Sequence, residues 1–188
     1  MQDIEPYYNW LHLYNSEEDA LSPFYQKEHS EFEYTHTIYN YVIHPQWDEF
    51  GSTTLYIKIL FVDYDKGYSI IELIGEWNDA INNDIMLLKR EVIELLTDEG
   101  INKFILIGEN ILNFHGSDDS YYEEWYGEVE EGWIAYVNFR EHVLEELKYS
   151  KADYYINFGG ELDHITWRKH TPVQLFHKVE EIISKRLS

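Results

Sequence analysis

Apolar and polar positions along this chain follow two periods, and each change of period marks an element. Residues 54–63 and 68–74 are apolar, β-branched runs of strand length. Asp65-Lys66-Gly67 between them supplies turn chemistry, so the pair predicts a hairpin. Ile81, Ile85, Leu88, Val92 and Leu95 then recur at helical spacing. That stripe predicts a helix over 79–99, capped by Asn78 or Asp79 and followed by Gly100 in the left-handed position. Residues 103–107 form a short, continuously apolar run, the pattern of a strand buried on both faces. Residues 133–138 predict another strand. Asn138 and Glu141 resemble a capping box for a helix reaching about Tyr149, with Val143, Leu144 and Leu147 inward. Residues 152–158 predict a further strand, closed by Gly159-Gly160. The last helix has the fullest start signal, with Thr171 as cap, Pro172 at the first position and Gln174 completing a box. Phe176, Val179, Ile183 and Leu187 line its expected inner face, and Lys185 and Arg186 sit at its negative dipole end.

The order from residue 54 is therefore β-β-α-β-α-β-α-β-α. It predicts an α/β fold with a mixed, mostly parallel sheet and helices packed on it. A Leu88→Asp change is expected to leave an unpaired buried charge in that fold. Residues 1–50 read differently. They hold twelve aromatics and ten acids but one basic residue, Lys27, and show no helical stripe. So many aromatics are foreign to a disordered tail. They predict an arm packed on the 51–188 domain, with a strand over 34–43 and with Tyr39, Tyr41 and Trp47 largely buried; Pro45 and Trp47 are expected to plug the arm into the core.

Charge narrows the function. Thirty-six acids against 14 Lys and Arg give a formal charge of −22. That opposes nucleic-acid binding and docking on anionic lipid, both of which need basic side chains. The chain has no cysteine, which excludes disulfides, thiolate metal ligands and cysteine nucleophiles. The first residues show neither a basic stretch nor an apolar one, so no signal peptide is expected, and a cytoplasmic location is the expectation.

Two stretches carry a family resemblance. Phe104-Ile105-Leu106-Ile107 is followed by Gly108 to His115 and then by Gly116-Ser117-Asp118-Asp119-Ser120; residues 133–147 are a strand and an acidic helix. With the leading hairpin, this resembles the SpoIIAA-like or STAS fold over about residues 54–150. The resemblance implies a regulatory, protein-binding module and places Ser117 near that family's phosphorylatable hydroxyl. Here His115 and Gly116 stand where the family has Asp-Ser, and no Ser-Gly follows.

The residues themselves offer further candidates, each with a plainer reading. Gly108-Glu109-Asn110 falls just past the predicted central strand, where open α/β sheets form crevices. Glu109 there could act as a base or bind a cation, with His115 and the 159–164 loop beside it; otherwise it ends a strand in a solvated loop. His115 with Asp118 or Asp119 could hold a metal, but no repeated ligand spacing supports one, and a helix start with Ser117 or Ser120 as cap and Glu123 closing the box is the alternative. No metal or cofactor is expected. Between Phe104 and Phe139 there are eight acids and no Lys or Arg, with Tyr121, Tyr122, Trp125 and Tyr126 among them. These four are candidate anchors for a protein partner, or rings turned inward from a solvated helix. His164 and His170 flank Trp167-Arg168-Lys169, a small basic island that could meet an acidic patch on a second copy. No nucleotide-loop or hydrolase-elbow motif occurs. Two classes remain, a protein-binding module that can form a homodimer and a small enzyme or ligand carrier built on Glu109 and His115.

Overall fold

The computed structural model describes residues 2–30, 32, 33 and 36–188. Its main sheet has four strands in the order β4 (Leu55–Asp63), β5 (Tyr68–Asn78), β6 (Lys103–His115) and β7 (Trp133–Val137). β4 and β5 form the expected antiparallel hairpin, turned by Gly67 at φ 74°; β5–β6 and β6–β7 are parallel. The mixed, helix-covered sheet is the α/β class that the periodicity predicts.

The continuously apolar strands are buried on both faces. Phe104 and Leu106 join a core with α1 (Asp84–Leu88), α2 (Glu94–Asp98), α3 (Ser120–Glu128) and α4 (Glu141–Tyr149). Ile105 and Ile107 point the other way, into a core with α5 (Pro172–Leu187), Leu162, Ile165, Trp167 and Trp10 of the arm. Val143, Leu144 and Leu147 are buried as the helical pattern predicts. Thr171 Oγ1 accepts from the Gln174 amide and Gln174 Oε1 accepts from the Thr171 amide, so the predicted capping box is formed. Among the described residues no helix is long and apolar enough to cross a membrane.

Several expectations are corrected. The first sheet-covering helix runs over 84–98, not 79–99, and contains a π-helical turn at Lys89–Ile93. Its inner face is Ile85, Leu88, Val92 and Leu96. Ile81 precedes the helix and is 83% exposed, and Leu95 is 45% exposed, because the wide turn rotates the second half of the stripe onto Leu96. Asp79 still serves the helix start, since its Oδ1 accepts from the Ile85 amide at 2.8 Å. Residues 152–158 make no strand. Ala152–Tyr154 is a 3-10 turn, and only an isolated parallel bridge, Ala135 to Asn157, reaches β7, so the sheet has four strands rather than five. Asn138 caps nothing; it has φ 58°, and its amide bonds both the N–H and the carbonyl of Ile165, at 2.9 and 2.7 Å. Leu187, the last residue of α5, is exposed, contrary to expectation.

Residues 1–50 build a second, small sheet. β1 (Gln2–Ile4) pairs parallel with β3 (Tyr41–Ile43), which pairs antiparallel with β2 (Thr37–Ile38). The expected single strand over 34–43 is thus a hairpin turning at Tyr39 and Asn40; Tyr34 and Thr35 lie outside the described residues. Trp47 is buried as expected, its indole N–H donating to the Ile4 carbonyl at 2.7 Å, among Ile38, Ile43, Tyr56 and Ile74. Tyr41 is half-buried. Tyr39 is 60% exposed, contrary to expectation, because it occupies the tip of the turn.

Candidate functional site

The predicted crevice does not form. β6 continues through Gly108, Glu109 and Asn110 to His115, so these residues are strand and not loop. Gly108 allows this, since a Cβ there would come within 2.3 Å of the Phe139 ring. Glu109 and His115 stand six residues apart on one strand, about 20 Å at ~3.3 Å per residue. Glu109 is engaged by Arg168 and accepts from the Trp167 indole at 3.3 Å. His115 faces Glu76 at 3.5 Å and Asn113 at 3.3 Å. One strand carries both side chains to different neighbours.

The stretch after β6 is a helix approach. Asp118 accepts from both the amide and the hydroxyl of Ser120, and these bonds hold its carboxyl below the ordinary range. Asp119 occupies the cap position and accepts from the Tyr155 hydroxyl at 3.5 Å. Ser120 is the first helical residue, so the expected Ser120–Glu123 box is absent. Ser117 is exposed in the preceding turn. At Gly116 a Cβ would meet Ser150 Oγ at 1.9 Å.

His115, Asp118 and Asp119 form no ligand group. Among the described residues, one group of three carboxylates comes together, Glu94, Glu124 and Glu128. Its cation is already present. The fully buried Lys89 puts its ammonium 3.1 Å from Glu124, 3.2 Å from Glu128 and 3.6 Å from Glu94, tying α2 to α3. Arg90 adds a second link to Glu124 at 3.0 Å.

The four aromatic anchors divide. Tyr122 and Trp125 are fully buried and belong to the core; Trp125 packs edge-on against Phe104 at 5.5 Å. Tyr122 donates to Asp79 Oδ2 at 2.6 Å, while the Trp77 indole donates to Oδ1 at 2.9 Å. Burial pushes the Asp79 carboxyl up to about 6 against these bonds. Tyr121 is half-buried under the Arg90 guanidinium, 5.6 Å from its ring. Tyr126 is exposed, and its ring lies 5.7 Å from Tyr155, which lies 6.4 Å from Tyr154. The exposed aromatic face is therefore made by α3 together with the segment after α4.

Two buried charge groups escaped the sequence reading. Glu72, inside β5, is buried; its Oε1 accepts from the Tyr7 amide at 2.7 Å, and Arg168 stands 3.8 Å from Oε2. Burial raises its carboxyl to about 7, opposed by the Tyr7 amide and Arg168. Arg168 stacks on Trp167, 4.3 Å from its centroid, and Tyr7 packs edge-on to the same indole. Arg168 of the basic island is thus paired within the chain. The second group joins the arm to β4. His29 lies 2.7 Å from Glu17 and 2.6 Å from Asp48, and the buried Lys58 is 3.5 and 3.6 Å from the same two residues. A single charge inside an apolar strand, Lys58 or Glu72, is the one signal of these groups that the sequence holds.

No model of a known protein family matches the chain, and no curated protein sequence matches it. Among solved structures, it is similar to the anti-sigma factor antagonist SpoIIAA in its unphosphorylated form. The identity is 14%, the match covers 56% of this chain and 89% of that one, and the TM-score is 0.42. At that similarity the likeness says nothing of the site.

Proposed function

We propose that this chain is a non-catalytic protein-binding module that docks a basic partner on the acidic tyrosine face of α3 and the segment following α4. The observation that carries this reading is the row Tyr126, Tyr155 and Tyr154. Its rings pack in tilted and edge-on pairs, Tyr126 is 55% and Tyr154 74% exposed, and Asp119 holds the central hydroxyl. Tyrosines give rigid, amphipathic contact area at little rotamer cost, and interfaces are enriched in them. Desolvation, and then the acids Glu123 and Asp119, raise the Tyr155 hydroxyl, and these acids set the sign of the partner. A net −22 would steer a Lys/Arg-rich surface toward this face. Ser117, exposed just ahead of α3, is where phosphorylation would add charge beside it and strengthen a basic partner's hold.

The enzyme reading has less behind it, since Glu109 and His115 stand apart and Glu109 is already paired. Self-association has its own surface. With Arg168 engaged by Glu72 and Glu109, the remaining candidate is the arm, where Tyr8, Leu11, Leu13 and Tyr25 are exposed.

Capture of proteins on the full chain, then titration of the purified partner, tests the docking face. Tyr126→Ala/Tyr154→Ala is expected to weaken binding at least about 30-fold, the range of aromatic hot spots. Raising salt from about 0.05 to about 0.5 M should weaken it further. Unchanged affinity in a double variant that unfolds at the wild-type midpoint would overturn the assignment of this face. Salt-insensitive binding would overturn the basic partner.

A further inference from the structure

Of five cavities formed by the described residues, four have carboxylates in their lining and one has none. The cavity between α2 and α3 is lined by Glu94, Asp98, Glu128 and Glu130. Those by α5, under the arm and beside His29 pair carboxylates with lysines: Glu161 and Glu181 with Lys178 and Lys185, Glu5 and Glu17 with Lys58, and Glu28, Glu33 and Glu49 with Lys27. The exception is a groove of about 420 Å³ between the small sheet, β6 and α4. Its lining is Tyr39, Tyr41, Leu112, Asn113, Arg140 and His142, with no carboxylate. Glu76 bonds the Tyr39 hydroxyl and Glu141 follows Arg140 in sequence, but neither lines the groove.

Arg140 is placed for a guest. Its Nε donates to the Glu109 carbonyl at 3.2 Å, which anchors the guanidinium. Among the described residues its terminal nitrogens meet no carboxylate, whereas Arg90 and Arg168 are both paired with Glu. Arg186 meets no carboxylate either, but its terminal nitrogens donate to the Phe158 and Gly159 carbonyls; among the described residues those of Arg140 are left without a bond. His142 is fixed beside it, donating from Nε2 to the Leu112 carbonyl at 2.8 Å. Opposite stands Tyr39 at φ 54°, a left-handed conformation that favours Gly or Asn, with its large ring left in solvent. Nothing in the turn itself calls for an aromatic there.

We propose that this groove binds a small aromatic anion, a ring bearing a phosphate or carboxylate. The ring would lie against Tyr39, Tyr41 and Leu112, and the anionic group would take the terminal nitrogens of Arg140 in the two-pronged geometry guanidinium offers. This reading is independent of the docking face, which lies on α3.

Titration of the isotope-labelled full chain with phenyl phosphate, benzoate and inorganic phosphate, followed by amide NMR, tests it. Saturable shifts at residues 39–41, 112, 113 and 140–142 are expected with one or both aryl anions, and the tighter of the two identifies the anionic group. Arg140→Gln should weaken binding about tenfold or more, the loss of a charge-assisted pair. Tyr39→Gly relieves the left-handed backbone, so it should fold at least as well as the parent and still bind several-fold more weakly. Absence of saturation up to about 10 mM, well beyond the 1 mM regime of weak ligands, would overturn the site. So would equal affinity in Arg140→Gln. Inorganic phosphate binding as tightly as phenyl phosphate, with Tyr39→Gly unaffected, would overturn the aromatic ligand.

Discussion

Glu72 shows what one charge inside an apolar strand does to the molecule. Its carboxyl sits between β5 and the arm, facing the Tyr7 amide, Arg168 and Glu109. Burial moves it from an ordinary value of 4.5 to about 7, so the folded chain keeps this proton to higher pH than the unfolded chain does. Its contribution to stability is therefore fully present below about pH 4.5 and is lost as pH rises through about 7. At ~1.4 kcal/mol per pH unit the loss is on the order of 3 kcal/mol. Asp79, raised to about 6, slopes the same way. Glu72→Gln keeps an acceptor for Tyr7 and leaves Glu109 to Arg168. Urea unfolding from pH 5 to 8 is expected to show the wild type weakening with pH and the variant weakening less, keeping only the Asp79 slope below about pH 6 and flattening above it. Parallel profiles for the two chains would refute this account of the carboxyl.

The elements follow pattern where packing agrees with it and depart where packing adds a constraint. The helix on 84–98 is the clearest case. Leu88 is fully buried against the sheet, while Ile81, from the same apparent stripe, is in water. Leu88→Asp should cost several kcal/mol, since it leaves a buried charge unpaired. Ile81→Asp should stay within about 0.5 kcal/mol of the parent, as surface changes do. Equal effects of the two, measured by denaturant midpoint, would mean that the helix register is misplaced. The π turn has a visible consequence at its first residue, Lys89, whose ammonium turns inward between α2 and α3 to meet Glu94, Glu124 and Glu128. Removal of one partner from such a buried group is the costly event, more than the pair is worth intact.

At the scale of the whole molecule, the arm closes the sheet. Trp10 is buried against Trp167 at 5.7 Å and Tyr7 at 5.3 Å, on the face covered by α5, and Trp47 plugs the small sheet onto β4 and β5. Glu17, His29 and Asp48 hold the rest of the arm to Lys58. Trp10→Ala is expected to destabilise the chain by about 3–5 kcal/mol, the range for a large aromatic lost from a core. Limited proteolysis of the parent should leave the arm attached. An unchanged midpoint in Trp10→Ala, or a stable fragment beginning near residue 51, would show that the arm is dispensable to the fold.

The sequence by itself determined the elements whose signals are local. The hairpin turning at Gly67, the β6 run, the inward face of α4 and the Thr171–Gln174 box are set by neighbours within a few residues, where alternation, glycine conformation and capping act. Only the tertiary structure decided which of the aromatics among the acids face inward. Tyr122 and Trp125 went to the core because Asp79 and Phe104 meet them from distant strands, and Tyr126 was left outside beside Tyr155. It likewise carried β6 past Gly108, where Phe139 leaves no room for a side chain, and so kept Glu109 from His115. The partners of Lys58, Lys89, Arg140 and Arg168 lie tens of positions away or across an element boundary. Periodicity reports which face of an element is apolar; it carries no information about what that face will meet.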